Sequence, residues 1–361
     1  MRLNSYEHIL VVNPYGIGDA LFTTPLIHCL KENFPKSKID ILLGSRTKEV
    51  FEHNPAIGSI IVFDKGSFDN SGFLRKIKIL TGLFKKLNRR YGLMVDLSNA
   101  PEYGFFGKFF LRIPRRVGFN YKKRGRFLTT VVPLEGFHGR HIVEFYLDLI
   151  RALDIPIGNA RNLYFYIPEE VEIWGEAFLK RHDINNDTDT LIGIAPGGGE
   201  SWGKDSYLKH WPPEYFAKVA RFLIDTHKVK VMLFGSAHEK GLCAAIENLV
   251  EYRVVNTCGE LNLTALAALF KKCKFVICND GGPLHLAKSQ GVSTVSIFGP
   301  VDSKVYGPYP PAERNIVLES PINCRPCYKN FKMPPCKTKE CLLGVLPETV
   351  FEKAKLLLHN P

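Results

Sequence analysis

Short apolar runs and longer amphipathic stretches take turns along this chain, an alternation that predicts a βαβ succession of parallel strands covered by helices. In the first half, mainly apolar segments of strand length occupy residues 8–12, 39–43, 59–63 and 93–97. Between them, apolar positions at helical spacing mark helices over about 24–33 and 73–87. An amphipathic stretch at 141–153 closes this half, and Asp154-Ile155-Pro156 ends it, because proline cannot continue a helix. The rhythm then begins again. Helical spacing returns at 171–182, 214–226, 239–250 and 263–272, interleaved with strand-length runs at 191–195, 229–234, 275–278 and 293–298. A last helix is read at 347–358.

Two such series predict an α/β protein of two doubly wound, Rossmann-like domains, residues 1–160 and 161–346, with a terminal helix in 347–361. Asn, Gly and Pro gather at 154–170, which reads as the linker. A length of 361 residues suffices for two buried cores. Ligands of open α/β sheets bind beyond the carboxyl ends of the strands. The two units are therefore expected to face one another across a cleft walled by strand-end loops.

Composition changes this picture little. Hydrophobic residues make up 45% and charged residues 23%, which argues against disorder. The residues before Ile9 are too few for a signal peptide, and no apolar run reaches membrane-spanning length. The expectation is a cytoplasmic protein, free or attached to a membrane surface. Charge adds more: the net +12 is concentrated in residues 1–160, with 24 Lys and Arg against 14 Asp and Glu, whereas the remainder holds 24 against 22. Residues 71–126 carry 15 basic side chains and only Asp96 and Glu102 as acids. Such a field draws phosphate-bearing partners, whether anionic lipid, acidic glycan or nucleic acid; the alternative is a solvated charged surface.

Four strand-end loops carry the candidate chemistry. The first is Asn13-Pro14-Tyr15-Gly16-Ile17-Gly18-Asp19, running on to Thr23-Thr24-Pro25. Its glycines permit close backbone approach to a ligand, but Leu21 stands where a dinucleotide fingerprint needs a third glycine, and no acid closes the second strand. What remains is Asp19, either a base for an attacking hydroxyl or a helix cap. A second segment, Leu97-Ser98-Asn99-Ala100-Pro101, leads into the aromatic stretch 103–110 and then Arg112, Arg115 and Arg116, a mixture suited to lipid and phosphate together or to a buried helix with a charged end.

The third loop, Pro196-Gly197-Gly198-Gly199, is followed by Lys204 and by Lys209-His210-Trp211-Pro212. Consecutive glycines and two lysines favour an anionic ligand, and the Walker spacing for nucleoside-triphosphate hydrolysis is absent. The fourth and most specific is Asn279-Asp280-Gly281-Gly282-Pro283-Leu284-His285, a strand followed by a helix whose small first residues open its amides to a diphosphate. Here Asp280 is placed as the helix cap organising the turn, and His285 within reach of the same ligand. Glu239, at another strand end, is either a ribose-gripping carboxylate or a first-turn acid favoured by the helix dipole.

With these motifs the chain resembles glycosyltransferase family 9, the lipopolysaccharide heptosyltransferases of GT-B fold. The resemblance rests on Gly16-Ile17-Gly18-Asp19 with Thr23-Thr24-Pro25, on Lys209-His210-Trp211-Pro212, on Asn279 to His285, and more softly on Arg115-Arg116-Val117-Gly118-Phe119. It implies that the first domain takes an anionic lipid-linked saccharide, through Gly16, Gly18, Thr23, Arg115 and Arg116. The second domain is implied to take ADP-heptose or a related nucleotide sugar, through Gly198, Gly199, Lys204, Glu239, Asp280, Gly281, Gly282 and His285. Asp19 matches the family's base for an inverting displacement, and Lys209 a stabiliser of the departing diphosphate, so that no cofactor or catalytic metal is required. The enzyme would work at the inner membrane face, and its final helix would cross back onto the first domain.

Nine cysteines include four close together, Cys324, Cys327, Cys336 and Cys341. Their spacing admits a structural zinc, unligated thiols or disulfides, none with a catalytic role. Two competing functions are a nucleotide-sugar epimerase of the same fold and a nucleic-acid-binding protein; nucleic acid is the less expected partner, because no recognition module accompanies the basic stretch.

Overall fold

The computed structural model describes residues 6–87, 90–159, 161–251 and 253–359, without the side chains of Glu200, Ser201 and Lys204. The chain divides into two compact units, at Tyr164 and Phe165.

The first unit is built on six strands, β1 (His8–Asn13), β2 (Lys38–Leu43), β3 (Ile57–Val62), β4 (Leu93–Asp96), β5 (Arg115–Phe119) and β6 (Thr130–Val132). They pair in parallel in the order β3-β2-β1-β4-β5-β6. The central strands are apolar on both faces because helices cover both. Leu10, Val12, Leu42 and Met94 point into one cluster with Leu83, Leu87, Tyr91 and Ile113. Over the sheet, the helices Ile17–Asn33 and Ile142–Arg151 pack against each other and bury Leu21, Phe22, Tyr146 and Leu147.

The second unit repeats the plan with β7 (Leu191–Ala195), β8 (Lys230–Leu233), β9 (Val255–Asn256), β10 (Phe275–Asn279), β11 (Ser293–Phe298) and β12 (Asn315–Glu319), ordered β12-β11-β10-β7-β8-β9. Read by each unit's own strand count, both orders are 3-2-1-4-5-6, the doubly wound nucleotide-binding arrangement. Trp211, fully buried, anchors the core beside Phe216, Leu223 and Ile246, and its indole donates to the Val345 carbonyl at 2.9 Å. The final helix, Pro347–His359, turns Val350, Ala354 and Leu357 into this core against the helix Pro213–His227. Among the described residues no helix is long and apolar enough to cross a membrane.

Candidate active site

Each sheet has one place where neighbouring connections leave in opposite directions: between β1 and β4 in the first unit and between β7 and β10 in the second. Diverging loops there open a crevice at the carboxyl edge. The loops following β1 and β4, and those following β7 and β10, are the ones the sequence marks.

In the first unit the helix Ile17–Asn33 starts from Gly16, with no side-chain cap. Asp19 lies in its first turn, so its carboxylate is not the cap that competed with the base reading. The backbone at Asp19 is fixed: its carbonyl accepts from Asn13 Nδ2 at 3.0 Å and from Thr23 Oγ1 at 2.8 Å. Thr23 is fully buried and serves this bracing. Asn13 Oδ1 in turn accepts the Tyr15 amide at 3.1 Å, turning the loop back over the strand end. The Tyr15 hydroxyl donates to the Ser98 carbonyl of the loop after β4. Burial, and then the negative charges of Asp19 and Asp96, push its ionisation well above the ordinary tyrosine value. Tyr15 is thus a neutral phenol under the influence of the Asp19 and Asp96 carboxylates.

Asp96 ends β4 at 5% exposure and accepts the Ser98 amide at 2.9 Å. Burial raises its pKa to about 6, against the pull of the Ser98 hydrogen bonds. Asn99 follows in the left-handed region, φ 54°, which Asn tolerates. Its carboxamide is buried beside the Tyr15 hydroxyl, and it lines a small pocket with Asp96, Arg124 and Phe127. The sequence reading assigned Asn99 no role; the signal was an Asn between a strand-end acid and a helix-starting proline.

In the second unit the loop after β7 and the turn after β10 touch backbone to backbone. A Cβ on Gly281 would lie 2.4 Å from the Gly198 carbonyl oxygen, and one on Gly197 only 1.6 Å from Glu239 Oε1. Asn279 holds the two segments together, donating from Nδ2 to the Pro196 carbonyl at 2.5 Å and accepting the Trp211 amide at 3.3 Å. It is fully buried. Turn organisation therefore belongs to Asn279, and the expectation that Asp280 caps the helix is corrected: the cap is Gly281, with no side-chain bond.

Asp280 instead faces Lys209, whose Nζ approaches Oδ2 at 2.6 Å, off the line of a hydrogen bond. The two side chains are 5% and 9% exposed. The ammonium also sits 4.4 Å from the centre of the Trp202 ring, which packs at 4.9 Å on Tyr328. Glu239 accepts the Ser236 amide at 2.7 Å through Oε2 and the Gly199 amide at 3.2 Å through Oε1, tying the loop after β8 to the glycine loop. His285 is 2% exposed on the first turn of the helix Gly282–Ser289. The Lys204 side chain lies outside the described residues.

The structure does not bring Arg115 and Arg116 to this edge. They are in register with Leu93 and Met94, at the amino-terminal end of the sheet, whereas Asp19 follows the carboxyl end. Arg116 is buried, its guanidinium committed to the Phe127 carbonyl at 2.7 Å and to that of Ile113; Arg115 reaches the Tyr6 hydroxyl at 2.9 Å. The four late cysteines are neighbours: burial, and then nearby Cys324, Cys341 and Cys336, raise the Cys327 thiol to about 11. No cysteine among the described residues is in a disulfide, and no group of three or more His, Cys, Asp or Glu is placed to hold a metal ion.

Residues 80–337 match the model of glycosyltransferase family 9 (heptosyltransferase). The chain belongs to this family. Among relatives of this glycosyltransferase, lipooligosaccharide heptosyltransferase 2 of Campylobacter jejuni is 27% identical over 98% of each chain. A solved family 9 glycosyltransferase from Veillonella parvula superposes with a TM-score of 0.81 at 26% identity, covering 99% of this chain and 98% of the other. The structure of E. coli ADP-heptose lps heptosyltransferase II gives 0.74 at 22% identity, over 97% and 98%. The paired six-stranded sheets of this glycosyltransferase are thus those of the GT-B heptosyltransferases.

Proposed function

We propose that this glycosyltransferase moves a heptose from ADP-heptose to a lipid-linked saccharide of the lipopolysaccharide core, inverting the anomeric carbon. One observation carries the reading: a buried lysine, Lys209, stands at a backbone-to-backbone glycine contact, Gly198 on Gly281, at the start of a helix without a side-chain cap. Backbone amides, a helix start and a fixed cation form a site for a diphosphate.

In the proposed step, the Asp19 carboxylate takes the proton of an acceptor hydroxyl. That oxygen attacks the anomeric carbon from the face opposite the nucleotide, and the bond from this carbon to the diphosphate oxygen breaks. Charge developing on the diphosphate falls to Lys209 and to the amides of Gly281 and Gly282, work that a metal ion does in other transferases, so the reaction needs none. Gly198 and Gly199 let the backbone approach the donor, Glu239 retains acceptor lone pairs for the ribose diol, and His285 serves the same diphosphate from the first turn of the helix Gly282–Ser289. The loop Gly16 to Asp19, with Asn99 and Arg124 at the next strand end, takes the acceptor's polar head. A lipid-linked acceptor places the enzyme at the inner face of the membrane as a peripheral protein.

Thermal shift against a panel of nucleotide sugars tests the donor. A true donor stabilises by mass action, about 2.7 kcal/mol at one hundred times its dissociation constant. ADP-heptose is expected to shift the transition and UDP-sugars are not; no shift with any nucleotide sugar would end this reading. Conversion of the donor without acceptor would instead identify an epimerase.

A further inference from the structure

The helix Phe73–Lys86 in the first unit buries only Leu83 of its 14 residues. Phe73, Ile77, Leu80 and Phe84 recur at intervals of four, three and four, which places them within about 60° of arc on one face. They are 77%, 44%, 40% and 43% exposed, and Leu74 beside them is 81% exposed. Arg75, Lys78, Lys85 and Lys86 occupy the remaining arc, and the helix has no acidic residue. Leu83 and Leu87 fix one edge in the core cluster that Tyr103, Phe106 and Leu111 also join, so the apolar stripe is held outward on a defined frame. The adjoining helix Pro101–Phe109 and the residue after it expose Phe105, Phe109 and Phe110 at 42%, 51% and 54%. Lys108 lies 5.0 Å from the Phe109 ring centre and Arg126 4.6 Å from that of Phe127.

Apolar side chains gathered on one exposed helix face mark an interaction surface. Its rim decides which: residues 71–126 hold 15 basic side chains and two acids. A second copy would set two cationic surfaces against each other, which charge repulsion opposes. A bilayer leaflet offers the complement, an apolar interior under anionic headgroups.

We infer that the helix Phe73–Lys86 lies in the plane of an anionic membrane surface. Phe73, Ile77, Leu80 and Phe84 enter the acyl boundary while the Lys and Arg stems reach the headgroup phosphates. Phe105, Phe109 and Phe110 make a second contact. The inference deepens the proposed function and rests on its lipid-linked acceptor.

The test is sedimentation of the full chain with vesicles of phosphatidylcholine alone, or with about one-third phosphatidylglycerol, for the wild type and for a Phe73→Ser, Ile77→Ser, Phe84→Ser variant. All three positions are exposed, so the melting temperature should hold. Expected are salt-sensitive binding of the wild type to anionic vesicles only and roughly tenfold or greater weakening in the variant. With it goes a similar loss of kcat/KM on acceptor embedded in vesicles, while transfer to a delipidated, water-soluble acceptor stays within about twofold. Equal vesicle binding by both proteins overturns the inference. So does a change from dimer to monomer in light scattering with vesicle binding intact, which would assign the stripe to a second copy. Absence of transfer to either acceptor counts against the proposed function instead, and the sedimentation result still decides the membrane contact.

Discussion

The Lys209 ammonium stands 2.6 Å from the Asp280 carboxylate, with both side chains nearly out of solvent and the Trp202 ring 4.4 Å from the cation. Burying such a pair costs desolvation that its attraction only partly returns, so it is not there for stability alone. It holds a cation beside the glycine turn with its charge compensated by Asp280, and in the proposed reading that cation serves the diphosphate.

Stability and turnover should therefore separate here. Lys209→Ala leaves a buried carboxylate unpaired and is expected to cost roughly 3–5 kcal/mol. The double variant Lys209→Met, Asp280→Asn removes both charges and should regain most of that loss in thermal unfolding, yet stay as inactive as the single variant. Recovery of turnover along with stability would reduce Lys209 to a structural strut.

At Gly281 the obstacle to a side chain is backbone, not a rotamer that can move. Gly281→Ala should separate the turn from the Gly198 carbonyl and weaken nucleotide-sugar binding roughly tenfold or more, read by titration calorimetry. Gly82→Ala is the control: nothing lies within 4 Å of its Cβ, and it should raise stability by about 0.5–1 kcal/mol through helix propensity.

Asp96 makes a prediction about pH. Its folded pKa of about 6 lies above the ordinary 3.8, so the folded state holds the proton more tightly than the unfolded one. Stability from this group is greatest below pH 4 and falls as pH rises to 6, after which the penalty is constant. Asp96→Asn should accordingly stabilise the protein at pH 8 by as much as about 3 kcal/mol, and the gain should vanish near pH 4. A gain that persists unchanged to pH 4 would show that the carboxylate is not strained by burial.

Much of this was legible in the sequence, for identifiable reasons. The central strands announce themselves because both faces are buried, leaving unbroken apolar runs at 9–12 and 275–278. The edge strands β5, β6, β9 and β12 were missed: β5 opens on two arginines, and β6 and β9 are only three and two residues long. The helix Ile17–Asn33 starts a full two turns before its read start, because Gly16 and Gly18 look like loop and yet begin a helix. At the site, glycines and charged residues stood out, but the partners of charges did not. Spacing put Asp280 at a helix start, whereas only packing shows that Lys209 claims it and that Asn279 does the bracing. Arg115 and Arg116 looked like acceptor ligands until strand register set them at the far end of the sheet.

Asp19 carries the central claim, and one comparison tests it: initial rates of ADP release with ADP-heptose and a lipid-linked core acceptor, for the wild type and Asp19→Asn. The substitution keeps the shape of the side chain and removes the base, so kcat is expected to fall roughly 10²- to 10⁴-fold with the donor-induced thermal shift unchanged. An Asp19→Asn enzyme that turns over within tenfold of the wild type would contradict the account.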